Sequence, residues 1–521
     1  MKLVRTLSLA MTSLAALGAV AVAAQMMDTA GPADQGPAMP QQLGDAAAGR
    51  DVFRNETFGN EGFWTDAVRL PQGIIAAKVT PMQALELGLQ VDADMIDSTT
   101  KAKLAAELRA DPSGRTSSLL NDPAVTLALV NAGAVIGVAP KGGKIGVTCA
   151  LCHTMTNASV FKSSKGGSIG SRIDGLANHD LNTGAIFATA ANTRALYTVA
   201  QTALKANKGK TFGRAPRGLT ERSTEAEFDA YFSNPKFYPV GMFDDTFDGN
   251  GDPMHNTPLF EQDLAAPYGS EGSFTKIDDF SNLIYTSLFD QTMLTTPGGR
   301  QFVNKLAGPA GNEMIDDYVE ILRDTGVTGY PYVRTAGGGE AGTLPTPLGV
   351  RVDNRKLLAL NAYLAALPAP AGAIGNPQAI ARGRTAFLAS GCTGCHNANQ
   401  FRPVPTTIHP MKTIFPGDKP TILAPRTAPL LPVQDTLANV FDDKMAVVNA
   451  SIRGEKRGIA MPLLLDLARK PVFLHDNSVK GMDLLFDPRR GARAPHPFYV
   501  ANRAKRGDLV MYLRSVDSTN R

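Results

Sequence analysis

Two short cysteine motifs constrain this chain more than any other feature. Residues 149–153 (CALCH) and 392–396 (CTGCH) both have the pattern C-x-x-C-H, and together they contain all four cysteines of the 521-residue chain. Two thiols with this spacing, on a turn that enters a helix, can form thioethers with the two vinyl groups of one porphyrin, and the adjacent histidine then faces the iron. The two copies predict two covalently attached haem c groups. The predicted attachment and proximal residues are Cys149, Cys152, His153, Cys392, Cys395 and His396.

Other uses of these cysteines fit the pattern less well. A zinc site needs a closed set of four nitrogen or sulfur ligands. A thiol–disulfide pair does not require a histidine directly after the second cysteine. Because both motifs are complete and no cysteine is left over, haem attachment explains more of the sequence than either alternative.

The amino terminus indicates the compartment. Lys2 and Arg5 precede an apolar run over residues 7–22, which is followed by small residues. This order predicts a cleaved secretory signal peptide over residues 1–24. Residues 25–44, with several prolines and no apolar periodicity, predict a flexible leader. Export suits covalent haem attachment, so we expect a periplasmic protein.

Charge and hydropathy exclude two classes of partner. The formal net charge of +4 is small and evenly spread, which does not suggest nucleic-acid binding. The apolar stretch over residues 124–138 contains Asn131 and several glycines, so it predicts a buried helix. No membrane span is therefore expected in the mature chain.

An internal repeat predicts the architecture. Residues 49–53 and 383–387 share the pattern G-R-x-x-F, and amphipathic helical patterns follow at 357–367 and 509–516. We therefore expect a mainly α protein with two cytochrome c-like haem domains. The predicted boundaries are residues 45–369 for domain 1, 370–375 for a linker and 376–521 for domain 2. The first cysteine lies nine positions after the glycine in domain 2 but 100 positions after it in domain 1, which predicts large loop-rich insertions in the first domain.

The second haem has two candidate distal ligands. In small cytochromes c, a loop before the terminal helix crosses the iron, and His496 lies in such a position, 16 residues before Tyr512 and between two prolines. His475 is the rival candidate, since Asp476 beside it could orient its imidazole. Coordination of one iron by two histidines would lower its potential relative to histidine and methionine.

The first haem has no obvious distal ligand. The position 16 residues before Tyr363 is Pro347, and residues 326–367 contain neither methionine nor histidine. Either this iron is open to a small molecule, or a ligand reaches it from an insertion. Among such ligands His179 is favoured, since it follows His153 by 26 residues. The other candidates are His255, Met155 and Met254.

Several stretches resemble a known group of proteins. Residues 49–53 with 57–59, 146–153, 174–178 and 473–476 are similar to the bacterial di-haem cytochrome c peroxidase superfamily, which includes the methylamine-utilisation di-haem enzyme and rubber-oxygenase-like proteins. The resemblance implies that the first haem, on His153, meets peroxide or dioxygen. It implies that the second haem stores or relays an electron.

The expected function is therefore electron transfer by a periplasmic di-haem c-type cytochrome. The alternative is a di-haem oxidoreductase of peroxidase or oxygenase type, with peroxide or dioxygen reacting at the first haem. The expected partner is a redox protein, such as a small cytochrome, a cupredoxin or a dehydrogenase, together with a small oxidant in the second case. No catalytic acid or base is identifiable from the residues.

Weaker features leave alternatives open. Asp248, Asn250 and Asp252 begin like a calcium loop, but Pro253 replaces the required glycine and Leu259 the bidentate acid. An EF-hand is excluded, whereas an irregular calcium site stays open.

Trp64 and an arginine cluster also have two interpretations each. Trp64 is the only tryptophan, and it is either an electron-hopping residue or a buried aromatic beside a haem. Arg489, Arg490 and Arg493 are either haem-propionate or partner-binding residues, or solvated surface groups.

Overall fold

The computed structural model describes most of the chain. The described residues are 44–200, 210–211, 213–214, 219–235, 238–243, 254–265, 268–269, 274–396, 408–410, 414–417, 430, 458–474, 477 and 479–519. The predicted signal peptide, the leader up to residue 43, the calcium-like stretch 248–253 and His475 lie outside these ranges.

Helices dominate the described part, so the prediction of a mainly α protein is confirmed. In chain order the α-helices α1 to α15 are Ala46–Asn55, Leu70–Ala76, Pro81–Glu86, Ser98–Ala110, Pro123–Asn131, Ala150–His153, Thr183–Phe187, Glu225–Phe232, Ile277–Leu283, Pro297–Ala307, Pro309–Asp324, Asn354–Ala366, Pro377–Ala389, Met482–Leu485 and Arg503–Ser515. Two π-helical turns are Phe63–Ala67 and Ile284–Leu288. Among the helices of the described ranges, none combines the length and apolar character that crossing a bilayer requires.

The strands are short and pair locally. In chain order β1 to β17 are Val91–Asp92, Val138–Lys141, Lys144–Val147, Thr154–Thr156, Phe161–Lys162, Ser168–Gly170, Arg172–Asp174, Lys210–Thr211, Gly213–Arg214, Met242–Phe243, Met254–His255, Gly337–Gly338, Val350–Arg351, Ile408–Pro410, Gly458–Ala460, Val472–Phe473 and Val479–Lys480. Strand β6 lies between β1 and β5, parallel to β1 and antiparallel to β5, and the other strands form antiparallel pairs. The hairpin β2–β3 leads directly into the first C-x-x-C-H motif.

The first helix crosses α12 at a glycine. Asp45 caps α1 by accepting a hydrogen bond from the amide of Ala47 at 2.8 Å. A Cβ atom on Gly49 would lie only 1.9 Å from the carbonyl oxygen of Ala359, so a side chain there would prevent this close approach. One turn further along α1, the ring of Phe53 packs against Tyr363 of α12, with 5.6 Å between centroids.

The crossing recurs between α13 and α15. Asn376 caps α13, and Pro377 occupies the first helical position, where its missing N–H leaves no bond unmade. A Cβ atom on Gly383 would lie 2.0 Å from the carbonyl oxygen of Asp508. The rings of Phe387 and Tyr512 then pack with 5.8 Å between centroids.

Buried apolar side chains form three clusters in the described chain. The largest draws on residues 52–364 and includes the α1–α12 crossing. A second draws mainly on residues 369–516, with Leu176 and Phe260 contributed from the first part of the chain. A third gathers buried residues between 85 and 134, ahead of the first motif, with Phe161 and Ile169 from beyond it. The segments on both sides of the first motif therefore share a small apolar core.

Candidate haem-binding cavity

Both C-x-x-C-H motifs line one cavity of about 580 Å³. This volume falls within the range of about 300–1,000 Å³ that is typical of sites for small molecules and cofactors. Its walls come from both apolar clusters, and it is bounded by the two cysteines and the histidine of each motif. The fold thus brings together two motifs that lie more than 200 residues apart in the sequence.

The first motif presents one ring nitrogen of its histidine for metal binding. His153 ends α6, and its Nδ1 lies 2.8 Å from the carbonyl oxygen of Thr257. A carbonyl only accepts, so Nδ1 carries the proton and Nε2 keeps its lone pair. Burial lowers the pKa of His153 to about 4, which favours the neutral imidazole that binds metals. This carbonyl fixes both the tautomer and the orientation of the ring.

An aromatic and aliphatic wall adjoins the first motif. The buried hydroxyl of Tyr285 lies 3.1 Å from Sγ of Cys149, which anchors the segment 268–289 beside the motif. Desolvation raises the pKa of Tyr285 well above its ordinary value, so the hydroxyl stays protonated and can donate. The described residues of this segment that line the cavity are Tyr268, Gly269, Phe274, Ile277, Phe280, Ser281, Leu283, Ile284, Tyr285, Leu288 and Phe289. They include no histidine, methionine or cysteine.

Both π-helical turns contribute to this part of the cavity. Trp64 belongs to one turn and Ile284, Tyr285 and Leu288 to the other. A π-turn inserts an extra residue into a helix and is frequent at functional sites because it redirects side chains. Here the two turns aim large side chains at the space beside the first motif.

Trp64 offers a buried donor to the cavity. Its indole stacks on Phe187 with 6.0 Å between ring centroids and 30° between the planes. The buried Nε1–H has no acceptor among the described residues. Buried donors normally have partners, so a group with acceptor oxygens in the cavity, such as a porphyrin carboxylate, would satisfy this one.

The second motif faces another histidine. Cys392 to Gly394 form a single 3₁₀ turn after α13, and His396 follows. The rings of His396 and His496 lie 6.4 Å apart between centroids, with 47° between their planes. Two metal–nitrogen bonds of about 2.0–2.1 Å plus two ring radii sum to roughly 6.3 Å, so this gap matches one metal ion held between two imidazoles.

The conformation of His496 is specialised. Its φ of 54° lies in the left-handed region, which residues other than glycine rarely adopt. Phe486 and Phe498 flank its ring, with centroids 6.1 Å and 5.3 Å away. Burial, with smaller contributions from the nearby His396 and Arg490, lowers its pKa to about 3. The imidazole is therefore neutral at physiological pH and able to bind metal.

His179 lies in a different cluster from His153. Its ring packs against that of His255, with 6.1 Å between centroids, and the described lining of the cavity includes His255 but not His179. Nζ of Lys470, from the second half of the chain, lies 2.8 Å from Nε2 of His255. Ligation of the first iron by His179 stays a prediction.

The remaining candidates are placed as follows. Arg490 is 3 % exposed and bonds to backbone carbonyls, whereas Arg489 is exposed and pairs with Asp487. Met155 packs against the second apolar cluster. His475 lies outside the described residues. No group of three or more potential metal ligands occurs in the part of the chain that the structure describes.

Sequence reasoning missed Thr257, Tyr285 and Lys470. Thr257 acts through its backbone carbonyl, so its identity carries no signal. Tyr285 and Lys470 reach the cavity from 136 residues beyond Cys149 and 215 beyond His255. No periodicity or motif spacing connects positions so far apart.

Comparison with known proteins adds little. No family model matches the chain, and no curated protein is similar to it. Among solved structures, a chain of hydrazine synthase from Kuenenia stuttgartiensis, pressurised with xenon, matches with 14% identity and a TM-score of 0.27. The match covers 61% of this chain and 88% of that chain. A likeness at this TM-score carries no argument about fold or function.

Proposed function

We propose that this protein is a periplasmic di-haem c-type cytochrome that carries electrons between a redox partner and its two haems. The observation that carries the proposal is the single cavity lined by both C-x-x-C-H motifs. Two haems attached to one cavity would lie close enough for electron exchange, and the apolar walls would exclude water from them. The signal peptide predicted over residues 1–24 and a soluble redox partner belong to the same proposal.

Each of the two haems would be held by its own set of residues. Haem iron supplies a one-electron couple between its ferric and ferrous states. At the first site, Cys149 and Cys152 would form the thioethers, His153 would bind through Nε2, and the Thr257 carbonyl would hold the Nδ1 proton. The Tyr285 hydroxyl would donate to the sulfur of Cys149, which would add a polar contact at that thioether.

The second site would be closed on both sides. Cys392 and Cys395 would carry the thioethers, and both His396 and His496 would bind the iron. An iron held by two histidines would leave no position for a substrate, so this site would be suited to storing and passing electrons. Phe486 and Phe498 flank the His496 ring, which would limit its movement when the charge on the metal changes.

A second function, small-molecule chemistry at the first site, is favoured by a specific observation. The described cavity residues of the segment 268–289 are apolar, aromatic or hydroxyl-bearing, and His255, which also lines the cavity, lies against Lys470. An iron bound only by His153 would keep one position open to peroxide or dioxygen. Electrons would then arrive through the second site, as the resemblance noted above implies.

The decisive experiment counts and types the haems. The chain is produced in a host with a c-type maturation system, and the mass and haem content of the exported protein are measured. We expect two haems per chain, falling to one in Cys149→Ala/Cys152→Ala and in Cys392→Ala/Cys395→Ala, each serving as the control of the other. A colourless exported protein would overturn the proposal.

Spectra then separate the two functions. Electron paramagnetic resonance in the ferric state should show one low-spin haem with two histidine ligands in either case. A second low-spin haem that ignores cyanide and carbon monoxide identifies a pure electron carrier. A high-spin haem that binds these ligands identifies an enzyme centre at the first site.

A further inference from the structure

The loop that carries His496 is tied together by one buried arginine. Arg490 lies at the end of a 3₁₀ turn, Pro488–Arg490, and is 3 % exposed. Its guanidinium donates through Nη1 to the carbonyl oxygens of Leu485 at 2.9 Å and His496 at 3.3 Å, and through Nη2 to that of Pro495. One side chain thus links the end of α14 with the backbone of His496 and of the residue before it.

These bonds fall where the backbone needs support. A residue other than glycine in the left-handed region costs about 1–2 kcal/mol and persists only where its surroundings determine it. The amide of Phe498 also donates to the His496 carbonyl, at 2.9 Å. The strained residue is therefore held by two donors at its own carbonyl and by another at the carbonyl before it.

The same arginine fixes the aromatic contacts of the imidazole. Phe486 directly follows Leu485, whose carbonyl Arg490 binds, and Phe486 flanks the His496 ring. The Arg490 guanidinium lies 6.0 Å from the ring centroid of Tyr499, and the hydroxyl of Tyr499 donates to the Gly491 carbonyl at 2.6 Å. Arg490 thus contacts the Tyr499 ring and three backbone carbonyls in and beside the loop that carries the imidazole.

We propose that Arg490 is the positioning residue that holds His496 in its left-handed conformation, so that the imidazole faces His396 at the spacing one iron requires. The proposal rests on the proposed function, in which these two histidines bind the second haem. Only a planar guanidinium has several donors in a fixed fork, so it can bind carbonyls of two separate segments at once. A lysine has the charge but not this geometry.

The test uses the full-length holoprotein with Arg490→Gln, Arg490→Lys and the control Arg489→Gln. Arg489 is the neighbouring arginine, but its side chain is 72% exposed and pairs with Asp487 instead of the loop carbonyls. Each protein is examined for the low-spin signal of the second haem and for cyanide binding at that haem. The first haem, in the same molecule, reports whether the variant has folded.

Loss of charged hydrogen bonds should let His496 leave the iron. For Arg490→Gln we expect part of the second haem to become high-spin and its cyanide affinity to rise about ten- to a hundredfold. Arg490→Lys should resemble Arg490→Gln, and Arg489→Gln should resemble the unmodified protein. An unchanged low-spin signal and cyanide affinity in Arg490→Gln would overturn the proposal.

A double variant separates positioning from a general effect. In His496→Gly, added imidazole should restore the low-spin signal, and adding Arg490→Gln to that background should not change the affinity for imidazole. A change of more than about threefold there would mean that Arg490 acts on the site by another route, and would overturn positioning. This comparison also decides the case if Arg490→Gln alone yields too little protein.

The outcomes distinguish this proposal from the proposed function. If the unmodified protein shows no haem with two histidine ligands, the function proposed for the second site is wrong and Arg490 has no ligand to position. If that haem is present but insensitive to Arg490, the function stands and only the positioning role fails.

Discussion

The two helix pairs of this chain share one crossing but frame different sites. In both pairs a glycine of the first helix, Gly49 or Gly383, touches the backbone of the terminal helix. In both, a phenylalanine one turn later packs on a tyrosine of the terminal helix at nearly the same distance. The scaffold is therefore repeated, and the difference between the sites comes from the segments between the helices.

Those segments supply contrasting surroundings. In the second half, the loop before the terminal helix is short and places His496 opposite His396. In the first half, the described residues between 268 and 289 line the cavity beside the first motif. The Thr257 carbonyl accepts a hydrogen bond from Nδ1 of His153. One scaffold can thus carry two sites with different surroundings, depending on the loops it supports.

The largest effect is expected from opening the second site. His496→Gly removes the imidazole while glycine accepts the left-handed backbone without strain. We expect complete loss of the low-spin signal of the second haem and the appearance of carbon monoxide binding there, as proposed for the first. Electron paramagnetic resonance and carbon monoxide difference spectra measure this.

Added imidazole provides the control for this variant. It should restore the low-spin signal, because it fills the position that the side chain left. If the second haem stayed low-spin in His496→Gly, another residue would be its ligand. The contrast drawn between the two sites would then be wrong.

The next largest effect is expected from removing the ion pair that joins α1 to α12, compared with the ion pair that joins α13 to α15. Asp174, whose side chain is 2% exposed, accepts hydrogen bonds from Arg54 at 2.5 Å and from Tyr363 at 2.6 Å, and so joins α1 to α12. Asp174 is buried but Arg54 is 32% exposed, so Asp174→Asn, which weakens two hydrogen bonds to a buried group, should destabilise the first half by about 1–3 kcal/mol. Urea unfolding, followed by the absorption of the first haem, measures this.

The matched control lies on the other pair of helices. Arg382 and Asp508 join α13 to α15 through two hydrogen bonds of 2.8 and 2.9 Å, but the Arg382 side chain is 62% exposed and that of Asp508 17%. Asp508→Asn should therefore change stability very little, because water screens the pair. Equal losses in both variants would contradict the distinction between a buried and an exposed contact.

Adding a methyl group to the glycine at either helix crossing should lower stability by a similar amount. Gly49→Ala and Gly383→Ala each place a Cβ about 2 Å from a backbone oxygen, so the helices must separate. Overpacking of this kind costs about 1–3 kcal/mol. Thermal unfolding with each haem as a local probe should show each variant weakening its own half, and a neutral result at either crossing would show that the scaffold is not repeated there.

The last effect depends on pH and concerns the contact between the halves. Burial lowers the pKa of Lys470, which lies against His255, to about 8 from 10.5, with Asp466 opposing the shift. Between these values the unfolded chain binds more protons than the folded chain, so stability should rise with pH from about 8 to 10.5. The buried ammonium is a constant penalty below this window, and above it the penalty is gone.

Lys470→Met tests this assignment. The methionine keeps the length of the side chain but cannot titrate, so its stability should be flatter across the window, as measured by urea unfolding at several pH values. A parallel pH dependence in both proteins would show that another group titrates there.

Local chemistry explains what the sequence predicted well. The mainly α fold follows from helical periodicity, and the close helix crossings occur at the glycines of the repeated G-R-x-x-F pattern. His496 was a candidate because its distance from Tyr512 along the chain matches a ligand loop, and the structure places its ring opposite His396.

Long-range placement explains what sequence reasoning could not supply. His179 lies close to His153 in sequence, yet the fold packs it against His255. By sequence alone, the arginines before His496 can be solvated surface groups. The structure instead buries Arg490, which donates to nearby backbone carbonyls. Neither outcome follows from residue type, because backbone acceptors look the same at every position.

The sequence by itself determined where covalent attachment is possible, because that chemistry needs only two thiols and a histidine within five consecutive residues. Tertiary structure alone decided that both motifs share one cavity, which histidine faces His396, and which carbonyl orients His153. These contacts join segments 100 or more residues apart, and only the packing of the helices and loops brings them within bonding distance.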